Sequence, residues 1–171
     1  MRILAGAFLL SVALAGKAGA QTGRKSQLAT VSQLVGEARI EIRYRRPVAR
    51  GRNLFGDLVP FGRTWSPSAD SAGLFSTTTD LEIAGQSLKA GQYTIWMIPE
   101  RDSWTVIFSS KQPAFHLPYP EGHDVLRVRA TPRTGDHVET LAFYFPMVDA
   151  DSAVLHMHWG KTMVPLAIRA R

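Results

Sequence analysis

The chain has 171 residues, with 20 Lys and Arg against 14 Asp and Glu, a net charge of +6 and no cysteine. The missing cysteine excludes disulfides, thiolate metal sites, cysteine nucleophiles and a lipid-modified cysteine anchor. No block of consecutive basic residues marks a nucleic-acid binder, so the mild basicity points to cell-envelope polyanions.

Met1 and Arg2 precede an apolar run over 3–15, and small residues lead to Ala18-Gly19-Ala20. A charged start, an apolar core and an A-x-A end are the parts of a secretory signal, expected to span 1–20 and to be cleaved between Ala20 and Gln21. The run falls short of the ~20 apolar residues that span a bilayer, so no membrane span is expected after cleavage. The expected address is the periplasm or the exterior. A polar, disordered segment is expected over 21–27, followed by one domain over 28–171.

From there the apolar period is two. Residues 38–44 alternate without a fault: Ile40, Ile42 and Tyr44 share one face, and Arg39, Glu41 and Arg43 the other. That is a half-buried strand, with 30–35 as its partner before Gly36. Residues 46–71 differ. Pro47, Pro60 and Pro67 break ladders and Gly51, Gly56 and Gly62 mark turns, while Phe55, Leu58, Val59, Phe61 and Trp65 must still pack somewhere. Long ordered loops of this kind are often functional.

Strands resume at 74–78 and 81–83, with turns at Gly85 and Gly91. Segments 93–98 and 104–108 are strongly β-forming and are joined by Pro99-Glu100-Arg101-Asp102. Residues 110–122, holding Pro113, Pro118, Pro120 and Gly122, form a second long loop. Strands at 125–129, 140–145, 153–159 and 162–168 close the chain, the last two as a hairpin turned at Gly160. No apolar 3.6-residue period follows the leader. About nine or ten short strands predict an all-β fold, an antiparallel β-sandwich in a single domain.

The best metal signal is His156-x-His158, because positions i and i+2 of a strand point to the same face. Leu155, Met157 and Trp159 take the core side, which places both imidazoles toward solvent. A third ligand is not fixed by spacing; His116, His123 and His137 lie on or near loops. Asp149 and Asp151 read as a turn before a strand rather than an acid–base pair, and Asp70 with Asp80 or Glu82 has no defined separation. There is no G-x-S-x-G elbow, no G-x-x-x-x-G-K and no G-x-G-x-x-G, and no cofactor is expected. Trp65 sits in the long loop near Arg and Asp, either to stack on a ligand or to plug the core edge. Strand parity turns Arg46 inward with Tyr44, where a guanidinium needs a partner; Asp57 and Asp70 are the candidates.

The stretch Arg46-Pro47-x-x-x-Gly51-Arg52-x-x-Phe55-Gly56-x-Leu58-Val59-Pro60-Phe61-Gly62-x-x-Trp65 resembles the hallmark of the domain of unknown function 2911 family. Leu88-Lys89-Ala90-Gly91-x-Tyr93, Ile98-Pro99, Trp104-Thr105-Val106-Ile107 and Trp159-x-Lys161-x-x-Val164-Pro165 extend the resemblance over about 28–168. It implies an exported β-rich bacterial protein and no particular activity. The family pattern continues after the tryptophan as Trp-Arg-x-Gly-Ala-Asn, whereas this chain reads Trp65-Ser66-Pro67-Ser68-Ala69-Asp70. The His156 and His158 pair is no part of that pattern.

The leading expectation is a non-catalytic envelope domain that binds a small molecule or glycan through Arg46, Arg52, Trp65 and Asp70. The alternatives are a metal-dependent hydrolase using His156 and His158, and a structural or protein-interaction module.

Overall fold

A computed structural model describes residues 26–171, all-β and folded as one sandwich. The expected signal segment 1–20 lies outside the described residues, as does the expected disordered segment except for Ser26 and Gln27. Gln27 is already in a strand, opposite Arg46. Among the described residues no helix is long and apolar enough to cross a membrane.

Ten strands are assigned among the described residues: β1 Gln27–Val35, β2 Ala38–Arg46, β3 Gly73–Thr77, β4 Leu81–Ile83, β5 Gln86–Leu88, β6 Gly91–Ile98, β7 Trp104–Ser109, β8 Asp124–Ala130, β9 Arg133–Val148 and β10 Ser152–Ala170. They form a six-stranded sheet, β1-β2-β3-β6-β7-β8, and a four-stranded sheet, β5-β4-β10-β9. Every pairing is antiparallel. Alternation in the sequence becomes alternation in burial: Ile40, Ile42 and Tyr44 of β2 face the core, where Phe75, Ile95 and Phe108 join them. Leu141, Phe143, Leu155, Met157, Val164, Leu166 and Ile168 face them from the other sheet.

β10 is assigned as one run, but its ends meet. The Ala170 N–H donates to the Asp151 carbonyl at 2.8 Å, and Arg169 pairs with Asp151 at 2.7 Å. Nineteen residues in a straight strand would span roughly 60 Å, so the run doubles back. Its midpoint is Gly160, whose φ of +59° suits the first central position of a two-residue hairpin turn. The hairpin read from the sequence is therefore present. A Cβ on Gly160 would stand 2.8 Å from Leu54 Cδ1, so the same residue lets the long loop press onto the turn.

β6 is buried almost throughout, without alternation. Tyr93, Ile95 and Met97 face the sandwich core. Thr94 and Trp96 face outward, beneath the second long loop, where Trp96 packs with Ala72, Ile107, Ala114 and Tyr119. A strand covered on both sides has no face left to be polar. Trp96 Nε1 donates to Thr94 Oγ1 at 3.0 Å, and Tyr119, whose hydroxyl is pushed up to about 12 by burial and by Asp124, sets its ring edge against Trp96 at 5.2 Å.

Tyr44 ties the two sheets together. Its hydroxyl, 99 residues away in sequence, accepts the buried Phe143 N–H at 2.9 Å, and the two rings meet edge to face at 4.8 Å. Burial raises the phenol pKa, so the hydroxyl keeps its proton over the ordinary range. Tyr44→Phe leaves the ring and strands a buried donor. We expect a loss of about 1–3 kcal/mol in urea unfolding with an unchanged m-value.

Candidate functional site

The first long loop, 47–71, is held at both ends and in the middle. At its start it zips onto β9: Ala49 N–H donates to Glu139 O at 2.7 Å, and Leu141 N–H to Pro47 O at 2.9 Å. Further on, Trp65 and Met97 exchange backbone bonds at 2.8 and 2.7 Å. Between these anchors Phe55 is the hub of an aromatic cluster, edge-on to Trp104 at 4.7 Å, Trp65 at 5.8 Å and Trp159 at 6.1 Å. Trp65 and Trp159 lie nearly parallel, 9° apart with centroids at 5.9 Å. Trp65 is therefore half-buried in that cluster, where it plugs the core edge, and it also lines the surface beside it.

The second loop locks against the first. Ala72 N–H donates to Ala114 O at 3.0 Å, and Ser71 bridges Phe115. His116 donates its backbone N–H and directs Nδ1 to the Asp70 carbonyl, at 3.3 and 2.9 Å. Asp70 has φ +64°, a left-handed conformation that Asp tolerates better than most residues.

Between the loops runs a groove of about 540 Å³, lined by Arg50, Arg52, Trp65, His116, Leu117 and Trp159 among others. A second hollow of about 550 Å³, with Arg63, Tyr119 and Glu121, shares Leu58, Val59, Trp65 and Leu117 with it. Arg52 is anchored by its own loop, Nε to Ala49 O at 2.8 Å and Nη2 to Val48 O at 2.7 Å. Such a guanidinium loses little rotamer freedom when it meets an anion. Glu139 fixes the backbone of Arg50, its Oε1 accepting the Arg50 N–H at 2.6 Å. His137 at 2.9 Å is the largest cause that holds the Glu139 carboxyl below its ordinary pKa, and the Arg50 N–H is the next.

Two of the four expected ligand-binding residues, Arg52 and Trp65, line the groove. Arg46 does not. It is half-buried, as parity required, but its partners are neither Asp57 nor Asp70: Nε donates to Leu141 O at 2.9 Å and Nη2 to Thr140 O at 3.4 Å. It clamps β2 to β9, two carbonyls serving where a carboxylate was expected. Asp70 is exposed and 3.8 Å from the neighbouring Arg45, and it supports the site through its carbonyl on His116. Arg50, His116, Leu117 and Trp159 were not expected in the groove. They come from three remote segments, and only the proline-rich composition of 110–122 hinted that this loop was ordered. The Ser66–Asp70 stretch, where the chain departs from the family pattern, is mostly buried: Ser68 Oγ accepts the Arg45 N–H at 2.9 Å and Ser66 Oγ the Gly73 N–H at 3.4 Å.

The histidine pair also differs from expectation. His156 is half-buried and His158 is only 5% exposed, because the start of β9 covers it: Nε2 bonds the Asp136 carbonyl at 3.0 Å. Among the described residues no three His, Cys, Asp or Glu side chains come together to hold a metal ion. The carboxylates considered for acid–base chemistry are occupied: Asp149 accepts the Ala150 N–H, Asp151 pairs with Arg169, Asp80 with Lys89 and Glu82 with Arg171. A depression of about 370 Å³ beside Met147, Val148 and Ala167 has no aromatic wall.

The family model described as protein of unknown function (DUF2911) matches residues 26–168. No curated protein and no solved structure matches the chain.

Phe55→Ala removes the hub that three tryptophans touch. We expect a loss of about 3 kcal/mol, the low end for phenylalanine truncation because Phe55 is half-buried, together with a red shift of tryptophan emission. Glu139 sets a pH dependence. A carboxyl depressed in the folded state stabilises above its unfolded value of 4.5 and loses that contribution as pH falls through the folded value. Thermal melts below pH 4.5 should separate wild type from Glu139→Gln less than melts at pH 7 do.

Proposed function

The chain belongs to the DUF2911 family, and from that premise we propose that it is an exported, non-catalytic binding domain whose inter-loop groove takes an anionic small molecule or an acidic glycan. The carrying observation is the meeting of Arg50, Arg52 and His116 with the half-buried Trp65 face in one groove of about 540 Å³. A preorganised guanidinium recognises a carboxylate or phosphate through two parallel hydrogen bonds, and an indole gives an apolar platform for a sugar face. The groove's walls are two loops bonded to each other and to the sheets, so little ordering is needed on binding. Export rests on the leader-like composition of residues 1–20.

The metal-dependent hydrolase reading has less behind it, since a catalytic zinc takes three protein ligands and, among the described residues, His156 and His158 have no third among His, Cys, Asp or Glu. The protein-interaction reading keeps one specific observation. Leu58, Phe115 and Leu117 are exposed at 42%, 63% and 58% beside the groove, an apolar rim suited to a partner.

Thermal unfolding of the chain with uronate oligosaccharides, neutral oligosaccharides of equal length and inorganic phosphate separates these readings. A bound ligand at 100 times its Kd adds about 2.7 kcal/mol, which raises Tm by about 5–10 °C for a domain of this size. We expect the uronates to raise Tm, the neutral sugars to leave it unchanged, and Arg52→Ala or Trp65→Ala to abolish the shift. No shift with any acidic probe counts against the glycan reading and favours the protein partner.

A further inference from the structure

The outward face of the β9–β10 sheet carries a second constellation, independent of the groove. Tyr144 of β9 lies directly opposite His156 of β10 in the ladder. Three donor atoms from the doubled-back β10 surround its hydroxyl: His158 Nδ1 at 3.1 Å, His156 Nδ1 at 3.3 Å and Met163 Sδ at 3.6 Å. His156 and His158 share a face by the two-residue period. Met163 reaches them from beyond the Gly160 turn. The hydroxyl has a single proton to donate among these three atoms.

The tautomer of His158 is set from behind. Its Nε2 faces the Asp136 carbonyl at 3.0 Å, and a carbonyl only accepts, so Nε2 carries the proton and Nδ1 presents its lone pair to the cluster. A histidine that donates one ring N–H to a backbone carbonyl while offering the other nitrogen is arranged as metal-binding histidines are. Met163 lies over Gly135, where a Cβ would stand 2.8 Å from Met163 Cε and 3.0 Å from Sδ. Only a residue without a side chain leaves the thioether in that position.

We propose that His156 Nδ1, His158 Nδ1 and Met163 Sδ bind one Cu(I) ion, with the Tyr144 hydroxyl displaced from the position they surround. The ligand types choose the ion. Imidazole serves many first-row metals, but a thioether selects soft, monovalent copper. All the donors are neutral and none is a carboxylate or thiolate, so nothing offsets a second positive charge. The nearby Arg133 acts on His156 as a like charge and opposes one further. First-row metal bonds run at about 2.0 Å to nitrogen and 2.3 Å to sulfur, so the donors close in by about 1 Å. Met163, with its flexible side chain, covers the largest part of that distance. No electron is transferred and no bond other than coordination forms.

The test is anaerobic titration of the untagged chain with Cu(I) against bicinchoninate, followed by X-ray absorption at the copper edge. We expect one Cu(I) per chain with two nitrogen scatterers and one sulfur. Met163→Leu should remove the sulfur scattering and weaken binding at least tenfold, and His156→Ala should weaken it similarly. Gly135→Ala keeps every ligand but displaces the thioether, and should also weaken binding. Met147→Leu, at an exposed methionine not in the cluster, should change nothing. Melting curves of the metal-free variants establish that each is folded. The proposal is overturned if bicinchoninate strips the wild-type chain completely, if Met163→Leu and His156→Ala both bind Cu(I) as wild type does, or if Zn(II) displaces Cu(I) from the chain.

Discussion

Phe55 pressed edge-on against three tryptophans is the contact on which the rest of the molecule leans. A chain without cysteine has no covalent means to pin a proline- and glycine-rich loop to a sandwich, and the loop's own backbone meets the sheets only through isolated bonds and bridges, at Pro47–Ala49, Trp65 and Ala69 among others. What holds it is aromatic surface. Trp104 comes from β7, Trp159 from β10 and Trp65 from the loop itself, so the single ring of Phe55 touches both sheets and the segment that closes over them. Each aromatic pair adds about 0.5–1.5 kcal/mol beyond its area burial. Without this cluster the groove would have no fixed wall, because Trp65 and Trp159 form that wall.

The second long loop solves the opposite problem. The six-stranded sheet carries Trp96 and Ile107 on its outer face, and an uncovered tryptophan there would be an adhesive patch. Residues 110–122 cover it with Ala114 and Tyr119. Because Ala72 bonds Ala114 and Asp70 bonds His116, the covering loop is welded to the first loop. A hydrophobic necessity on one face thereby places a histidine and Leu117 in the groove on another.

The strands that alternate most cleanly were legible in the sequence. Residues 38–44 show their faces because one side meets the core and the other water, and Gly160 announces its turn because few side chains suit its left-handed backbone. Residues whose roles depend on distant neighbours were not. Parity turned Arg46 inward correctly, but its partners are carbonyls 94 and 95 residues away that no local pattern can name. His158 was assigned to solvent because its strand face is outward; it is buried because β9 runs past the pattern's end, starts at Arg133 and lays Asp136 over it. Trp65 could be read two ways because a ring that packs at a core edge can also line a groove, and a sequence position does not record its depth.

The doubled β10 shows how much one backbone can carry. Its inward positions, Leu155, Met157 and Trp159, fill the core and reach the loop cluster, while its outward positions, His156 and His158, face Tyr144 and Met163. A period of two separates the faces chemically but not mechanically. His158 and Trp159 are adjacent, and both precede the glycine whose missing Cβ admits Leu54. The outer cluster and the inner wall of the groove are therefore set by the same few peptide planes. Any rearrangement that draws His158 inward onto a ligand must be taken up either by its side-chain torsions or by the strand that positions Trp159. The bond from Nε2 to Asp136 restrains the ring, and the Trp159 indole is in turn held by its donation to Glu139 O at 3.3 Å, on the same β9 strand. Two restraints to one neighbouring strand leave the torsion of Met163 softer than that of His158, which is why the thioether, and not the His158 imidazole, is the part of that cluster built to move.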